Sequence, residues 1–299
     1  WRDIKVVGDV AYIVSEAGEH GIQAIDLDQV LTMEPMSSVP LISWYTGFGG
    51  AHNIAANPET GFVYGVGTDT FNGGLHIVDV ANPSVPTLAG SWEEAYIHDA
   101  QIVVYNGPDP DYVGREMAFA FSGYSGFFIV DVEDKTDCQT ISFLGDESWV
   151  YTHQGWLTEG HRYFISNDEL DEQSIGVGTT SFIWDVTNLS APELVGTYVS
   201  ESSAIDHNMY VKDTLVYQSN YRAGLRVLST GDIETGTLEE VAFFDVDPAS
   251  DAPQFSGTWS NYPYFASGII AVTHMEEGLF LLQLSGEMSD TGCMDPEAC

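Results

Sequence analysis

The sequence predicts an all-β fold of repeated four-stranded units, and three observations carry that reading. A short strand-like element recurs six times along the 299 residues. Two strand-like segments precede it and another follows it within each period. No long stretch shows the helical apolar period of 3.6 residues. A period near 50 residues with four strands in each is the blade of a β-propeller.

The recurring element reads Gly21-Ile-Gln-Ala-Ile-Asp26, Gly74-Leu-His-Ile-Val-Asp79, Gly126-Phe-Phe-Ile-Val-Asp131 and Ser181-Phe-Ile-Trp-Asp185. Weaker copies are Gly224-Leu-Arg-Val-Leu-Ser229 and Gly278-Leu-Phe-Leu-Leu-Gln283. Their last residues are spaced by 53, 52, 54, 44 and 54 positions. Each copy is apolar, β-branched or aromatic and bounded by turn residues, the signature of a buried strand. Upstream lie segments such as Asp3–Val7 and Ala11–Val14. Downstream, a Pro-containing turn (Asn82–Pro86, Asn188–Pro192) leads to another strand, Thr87–Trp92 or Glu193–Tyr198. The Asp that ends the element can accept backbone N–H groups of the following turn.

The propeller is assigned to residues 1–285, and residues 286–299 to a Cys-containing tail. The first unit opens on its innermost strand at Trp1–Ile4, and the last stops after Gly278–Leu284 with no fourth strand. An open edge invites pairing. Chain upstream of Trp1 is therefore expected to supply one closing strand for six blades, or a whole seventh blade.

Asp and Glu number 45 against 8 Lys and Arg, a formal charge of −37. Phosphate backbones and anionic membranes would be repelled, which excludes nucleic-acid partners. Such a charge repels itself within a compact state. Concentrated salt, which shortens the screening length to about 3 Å near 1 M, or bound divalent cations would relieve it. No apolar run approaches the ~20 residues of a membrane helix. The chain opens at Trp1 rather than Met, consistent with removal of an upstream signal peptide. Cys293 and Cys299, six apart in the tail, suit a local disulfide in an oxidising compartment.

Several longer stretches carry a family resemblance. Trp1–Lys5, His98–Gln101, Tyr151–Leu157, Asn167–Glu172, Asp206–Asn208, Asn220–Leu225 and Trp259–Tyr264 resemble the choice-of-anchor B family, which is built on LVIVD-type repeats. The resemblance covers nearly all of residues 1–285. It implies a secreted or cell-surface β-propeller with a blade before Trp1, hence seven in all. The tail resembles short Cys-containing repeats that follow such domains in marine bacterial proteins. No biochemical activity comes with the resemblance.

Four histidines stand at the start of the innermost strand of successive blades: His52, His98, His153 and His207, spaced by 46, 55 and 54 residues. Equivalent positions on innermost strands converge on the channel of a propeller. The imidazoles could therefore gather on a transition metal, Zn, Cu or Fe. The other reading is structural: one His per blade, each bonded to the next blade's backbone. A second candidate is the run Asn167-Asp168-Glu169-Leu170-Asp171-Glu172. Asp168, Glu169, Asp171 and Glu172 could ligate Ca2+, which favours six to eight oxygens; a solvated acidic loop is the alternative. Trp44, Trp92, Trp149 and Trp156 could line a glycan or peptide groove, although packing at strand ends explains most of them equally. No nucleophile elbow, phosphate loop or His-Glu-x-x-His motif occurs.

The expected function is an extracellular or cell-surface scaffold that binds a glycan or a protein, stabilised by cations. The alternative is a metal-dependent enzyme of oxidoreductase type built on the four histidines.

Overall fold

Alternating apolar positions form strands throughout, and the strands form six antiparallel sheets, each made from one consecutive stretch of chain. The structure, a computed structural model, describes residues 1–146 and 148–285. The expected Cys293–Cys299 disulfide and the tail 286–299 lie outside the described residues.

The chain forms two compact units. The first holds three four-stranded sheets. These are β1 (Arg2–Val7), β2 (Val10–Ser15), β3 (Ile22–Asp26) and β4 (Ser43–Tyr45); β5 (Asn53–Asn57), β6 (Phe62–Val66), β7 (Leu75–Asp79) and β8 (Thr87–Trp92); and β9 (Asp99–Val104), β10 (Glu116–Phe121), β11 (Phe127–Asp131) and β12 (Gln139–Leu144). The second unit holds β13 (Thr152–Leu157), β14 (Tyr163–Asp168), β15 (Thr180–Asp185) and β16 (Glu193–Val199); β17 (Met209–Lys212), β18 (Leu215–Ser219), β19 (Leu225–Ser229) and β20 (Glu239–Phe244); and a three-stranded sheet of β21 (Thr258–Tyr262), β22 (Ile269–His274) and β23 (Gly278–Gln283). Each sheet is a propeller blade, and the fold is an all-β propeller of six blades. Among the described residues the α-helices are one-turn pieces, α1 (Leu27–Leu31) and α2 (Asp171–Ser174). No helix among them is long and apolar enough to cross a membrane.

The repeated element is the third strand of every blade: β3, β7, β11, β15, β19 and β23. In β7 and β19 both faces are buried because blades cover them from both sides, whereas in β23 Leu279 and Leu281 are exposed. Leu75 and Ile77 of β7 pack towards the β9–β12 blade, and Val78 packs towards the β1–β4 blade. In the second unit Leu225 and Val227 face the last blade, while Leu228 faces the blade before. The terminal Asp takes the backbone of the turn, as Asp79 Oδ1 does from Ala81 N at 2.8 Å and Asp185 Oδ1 from Thr187 N at 2.8 Å. Ser229 does the same through its hydroxyl, from Gly231 N at 3.1 Å.

The leading glycine has a steric cause. A Cβ on Gly74 would lie 2.1 Å from Trp92 O, and one on Gly224 would lie 2.0 Å from Phe244 O. In these two blades the start of the third strand passes too close to the end of the fourth for any side chain, whereas Gly278 of the last blade has open space at its Cβ position.

Candidate functional site

The four histidines fall where the innermost strands begin. His52 and His98 immediately precede β5 and β9, which lie side by side in the first unit. His153 is the second residue of β13, and His207 sits two residues before β17 in the second unit.

In the first unit the two rings come together. Nε2 of His52 lies 3.2 Å from Nε2 of His98, and the ring centroids are 4.0 Å apart. His52 Nδ1 is 2.7 Å from Glu16 Oε1, and Tyr96 Oη is 3.4 Å from His98 Nδ1. Both Nε2 atoms therefore turn inward, each ring held from behind by an oxygen.

In the second unit His153 and His207 also meet, with ring centroids 4.3 Å apart. His207 is fixed by the last blade: its Nδ1 donates to Trp259 O at 2.5 Å, and its ring lies 4.3 Å from that of Trp259. That bond sets the tautomer and leaves Nε2 as the acceptor. Glu169 faces both imidazoles, with Oε2 3.9 Å from His153 Nε2 and Oε1 3.9 Å from His207 Nε2. These gaps are too long for hydrogen bonds. Burial pushes the Glu169 carboxyl up to about 8, opposed by the 3.2 Å bond it accepts from Tyr221 Oη.

The acidic run is not a solvated loop. Asp168 ends β14, and its two oxygens accept from Val150 N at 2.7 Å and Tyr151 N at 2.6 Å, which closes the entry to β13. Burial still raises its carboxyl above the ordinary range. Asp171 and Glu172 open α2 and are buried. Their neighbour in charge is Asp206, before β17. Burial first pushes these carboxyls up. The charge of Asp168 adds to it at Asp171, that of Asp171 at Glu172, and those of Glu172 and Asp171 at Asp206, while hydrogen bonds to Thr180 and Glu172 oppose it at Asp171. The run therefore divides: Asp168 serves backbone, Glu169 faces imidazoles, Asp171 is bonded to Thr180 and Glu172, and Glu172 takes the backbone of Asp206. Asp206 was missed by the sequence reading, because it stands apart from any acidic run.

The tryptophans differ in their surroundings. Trp92 is core, 3% exposed, whereas Trp44 is 54% exposed with Nε1 donating to His20 O. Trp149 packs on Phe182 and Trp184, and Trp156 on Tyr210. His76 is buried within β7 and held on both sides, 2.7 Å from Tyr45 Oη and 2.8 Å from Thr70 Oγ1.

The β7–β8 segment decides what the repeat is. Residues 69–94 match the LVIVD repeat. They begin in the turn before β7 and end just past β8, so the LVIVD repeat here is the third and fourth strands of one blade. No curated protein matches the sequence. Solved structures share the fold. The β-propeller domain of Cps50 (Swd1) from Myceliophteria thermophila is 13% identical with a TM-score of 0.58, over 95% of this chain and 83% of that one. Hydrazine synthase from Kuenenia stuttgartiensis is 12% identical with a TM-score of 0.57, over 91% and 73%. A protein from Lactobacillus plantarum is 16% identical with a TM-score of 0.54, over 94% and 83%. At these identities the likeness speaks for the propeller around the LVIVD repeat and for nothing chemical.

Proposed function

We propose that this chain is a non-catalytic binding scaffold of the cell exterior, a rigid propeller that presents its surface to a glycan or a protein. The observation that carries this reading is how the second unit spends its inner polar side chains. Asn208 Nδ2 donates to Trp259 O at 3.1 Å, Asn261 Nδ2 to Tyr217 O at 3.1 Å, and Gln154 Oε1 accepts from Met209 N at 2.5 Å. His207 belongs to the same set. Each blade of this unit ties at least one polar side chain to its neighbour's backbone, which serves rigidity. The charge of −37 suits saline surroundings outside a cell. The test is solid-phase binding of the purified protein to envelope polysaccharides and surface proteins in high salt. Saturable binding without turnover is expected. Absence of binding to both classes would overturn the reading.

A second reading rests on one observation in the first unit. Two Nε2 atoms 3.2 Å apart match the spacing of two imidazoles on one ion at about 2.0–2.1 Å. Glu16 behind His52 has the outer position of a carboxylate–histidine–metal arrangement. On this reading the protein is a transition-metal protein of oxidoreductase type. Elemental analysis decides it: Zn, Cu or Fe near one per chain, lost in His52→Ala with His98→Ala, is required.

A further inference from the structure

An amine and an amide share one buried carboxyl group in the first unit. Glu116 opens β10 and is 1% exposed. Its Oε2 lies 2.8 Å from Nζ of Lys135, in the turn between β11 and β12, and its Oε1 accepts from Asn57 Nδ2 at 2.9 Å. Asn57 ends β5 and is 2% exposed, and the Lys135 side chain is 10% exposed. Thr60 Oγ1 also donates to Glu116 Oε1 at 2.7 Å, and Lys135 Nζ to Glu133 O at 3.1 Å. A second contact places the amine beside the amide. Lys135 Nζ lies over the ring of Phe62, 4.5 Å from its centroid, and Phe62 is the direct cross-strand partner of Asn57. Such partners have Cβ atoms about 4.5–5.5 Å apart.

The Asn57 amide is held for attack at its carbon. Its Oδ1 accepts from Glu59 N at 3.1 Å, a backbone donor placed where negative charge would develop. Its Nδ2 sits on a carboxyl that can protonate it as it leaves. Both contacts with Glu116 fall within the ~2.6–3.2 Å reach of proton transfer. A Lys–Glu ion pair alone would need no amide on the second carboxylate oxygen.

We propose that Lys135 and Asn57 join in an isopeptide bond, with Glu116 carrying the protons. A proton passes from Nζ to Oε2 and leaves a neutral amine, the nucleophilic form. Nζ then bonds to Asn57 Cγ, and the carbonyl electron pair moves onto Oδ1, against the Glu59 N–H. As that pair returns, the Cγ–Nδ2 bond breaks. Glu116 gives its proton to Nδ2 and takes the one shed by the new amide nitrogen. Ammonia accepts that proton and departs as ammonium, and Glu116 is a carboxylate again. No oxidant, reductant or co-reactant enters. Holding the three groups together supplies the proximity that amide exchange lacks in solution. The ion pair is the state before reaction. The bond ties the end of β5 to the β11–β12 turn, across two blades of the unit, and it stands whether or not the scaffold reading does.

Intact mass spectrometry of the whole chain, with peptide mapping, tests this. The wild-type chain is expected to be lighter than its sequence mass by one ammonia, with a branched peptide joining Asn57 to Lys135. Lys135→Arg, whose guanidinium stays protonated, and Glu116→Gln should each show the full mass. Lys5→Arg should keep the loss, since Lys5 pairs with Asp3 elsewhere in the unit. Asn57→Asp should form the same bond by losing water instead of ammonia, a change that an ion pair cannot produce. Wild-type protein at its full sequence mass after incubation at neutral pH overturns the proposal. So does an ammonia loss that persists in Lys135→Arg, or one that maps to a succinimide at Asn72-Gly73 or Asn106-Gly107. If the variants do not fold, the wild-type peptide map still decides.

Discussion

The Nδ1 of His207 donates to the carbonyl of Trp259 at 2.5 Å, so the entry of one blade's inner strand is tied to the inner strand of the next. Asn208, its neighbour, donates to the same carbonyl. A repeated polar position can thus be part of how blades are joined.

That use predicts the cost of removing a staple. Asn261 is 4% exposed and donates to both Tyr217 O and Ser219 Oγ. Asn261→Ala should cost about 1–3 kcal/mol in urea unfolding. Surface binding at a temperature where the variant is folded should be unaffected. A cost near zero would remove the structural role.

The buried pair of Lys135 and Glu116 makes a larger prediction. Their charges lie 2.8 Å apart, with Glu116 1% exposed and also accepting from Asn57 Nδ2 and Thr60 Oγ1. Lys135→Met strands a carboxylate in the core and should cost about 3–5 kcal/mol. The double variant with Glu116→Gln should recover part of that loss, read by the same unfolding curves.

Gly74 tests the steric origin of the repeat. Gly74→Ala puts a Cβ 2.1 Å from a backbone carbonyl and should lower stability by at least about 2 kcal/mol. Gly160→Ala, with open space around its Cβ position, should be neutral or stabilising by up to ~1 kcal/mol. Thermal unfolding of the two variants compares them directly.

His76 gives a pH dependence. Burial lowers its pKa from 6.5 to about 4, although the Asp69 charge pulls the other way. The unfolded chain therefore takes up the proton first. The contribution is fully present above about pH 6.5 and is lost as pH falls towards 4. At 1.36 kcal/mol per unit the loss is on the order of 3 kcal/mol. His76→Gln should flatten the stability profile between those pH values. An unchanged slope in the variant would assign the acid sensitivity to other groups.

The fold was legible in the sequence because its cause is periodic. Each Ile-Val-Asp copy must be apolar on both faces and end in a turn, so strand, burial and cap repeat together. The histidines were legible as positions for the same reason. Their partners were not, since the Trp259 carbonyl carries no sequence signal and Glu16 is one acid among 45 acidic residues. The acidic run misled by its composition. Neighbouring residues on a strand end and a short helix point in different directions, which divided Asp168 and Glu169 from Asp171 and Glu172. Asp206 feels their charge from 34 positions beyond Glu172, a relation that no local spacing records.

The central claim is that the inner polar residues hold blades together and do not bind a redox metal. Elemental analysis of protein purified without chelator or affinity metal tests it most directly. The account predicts no zinc, copper or iron above a few per cent of stoichiometry. Zinc, copper or iron near one per chain, lost when His52 and His98 are both replaced by Ala, would contradict it.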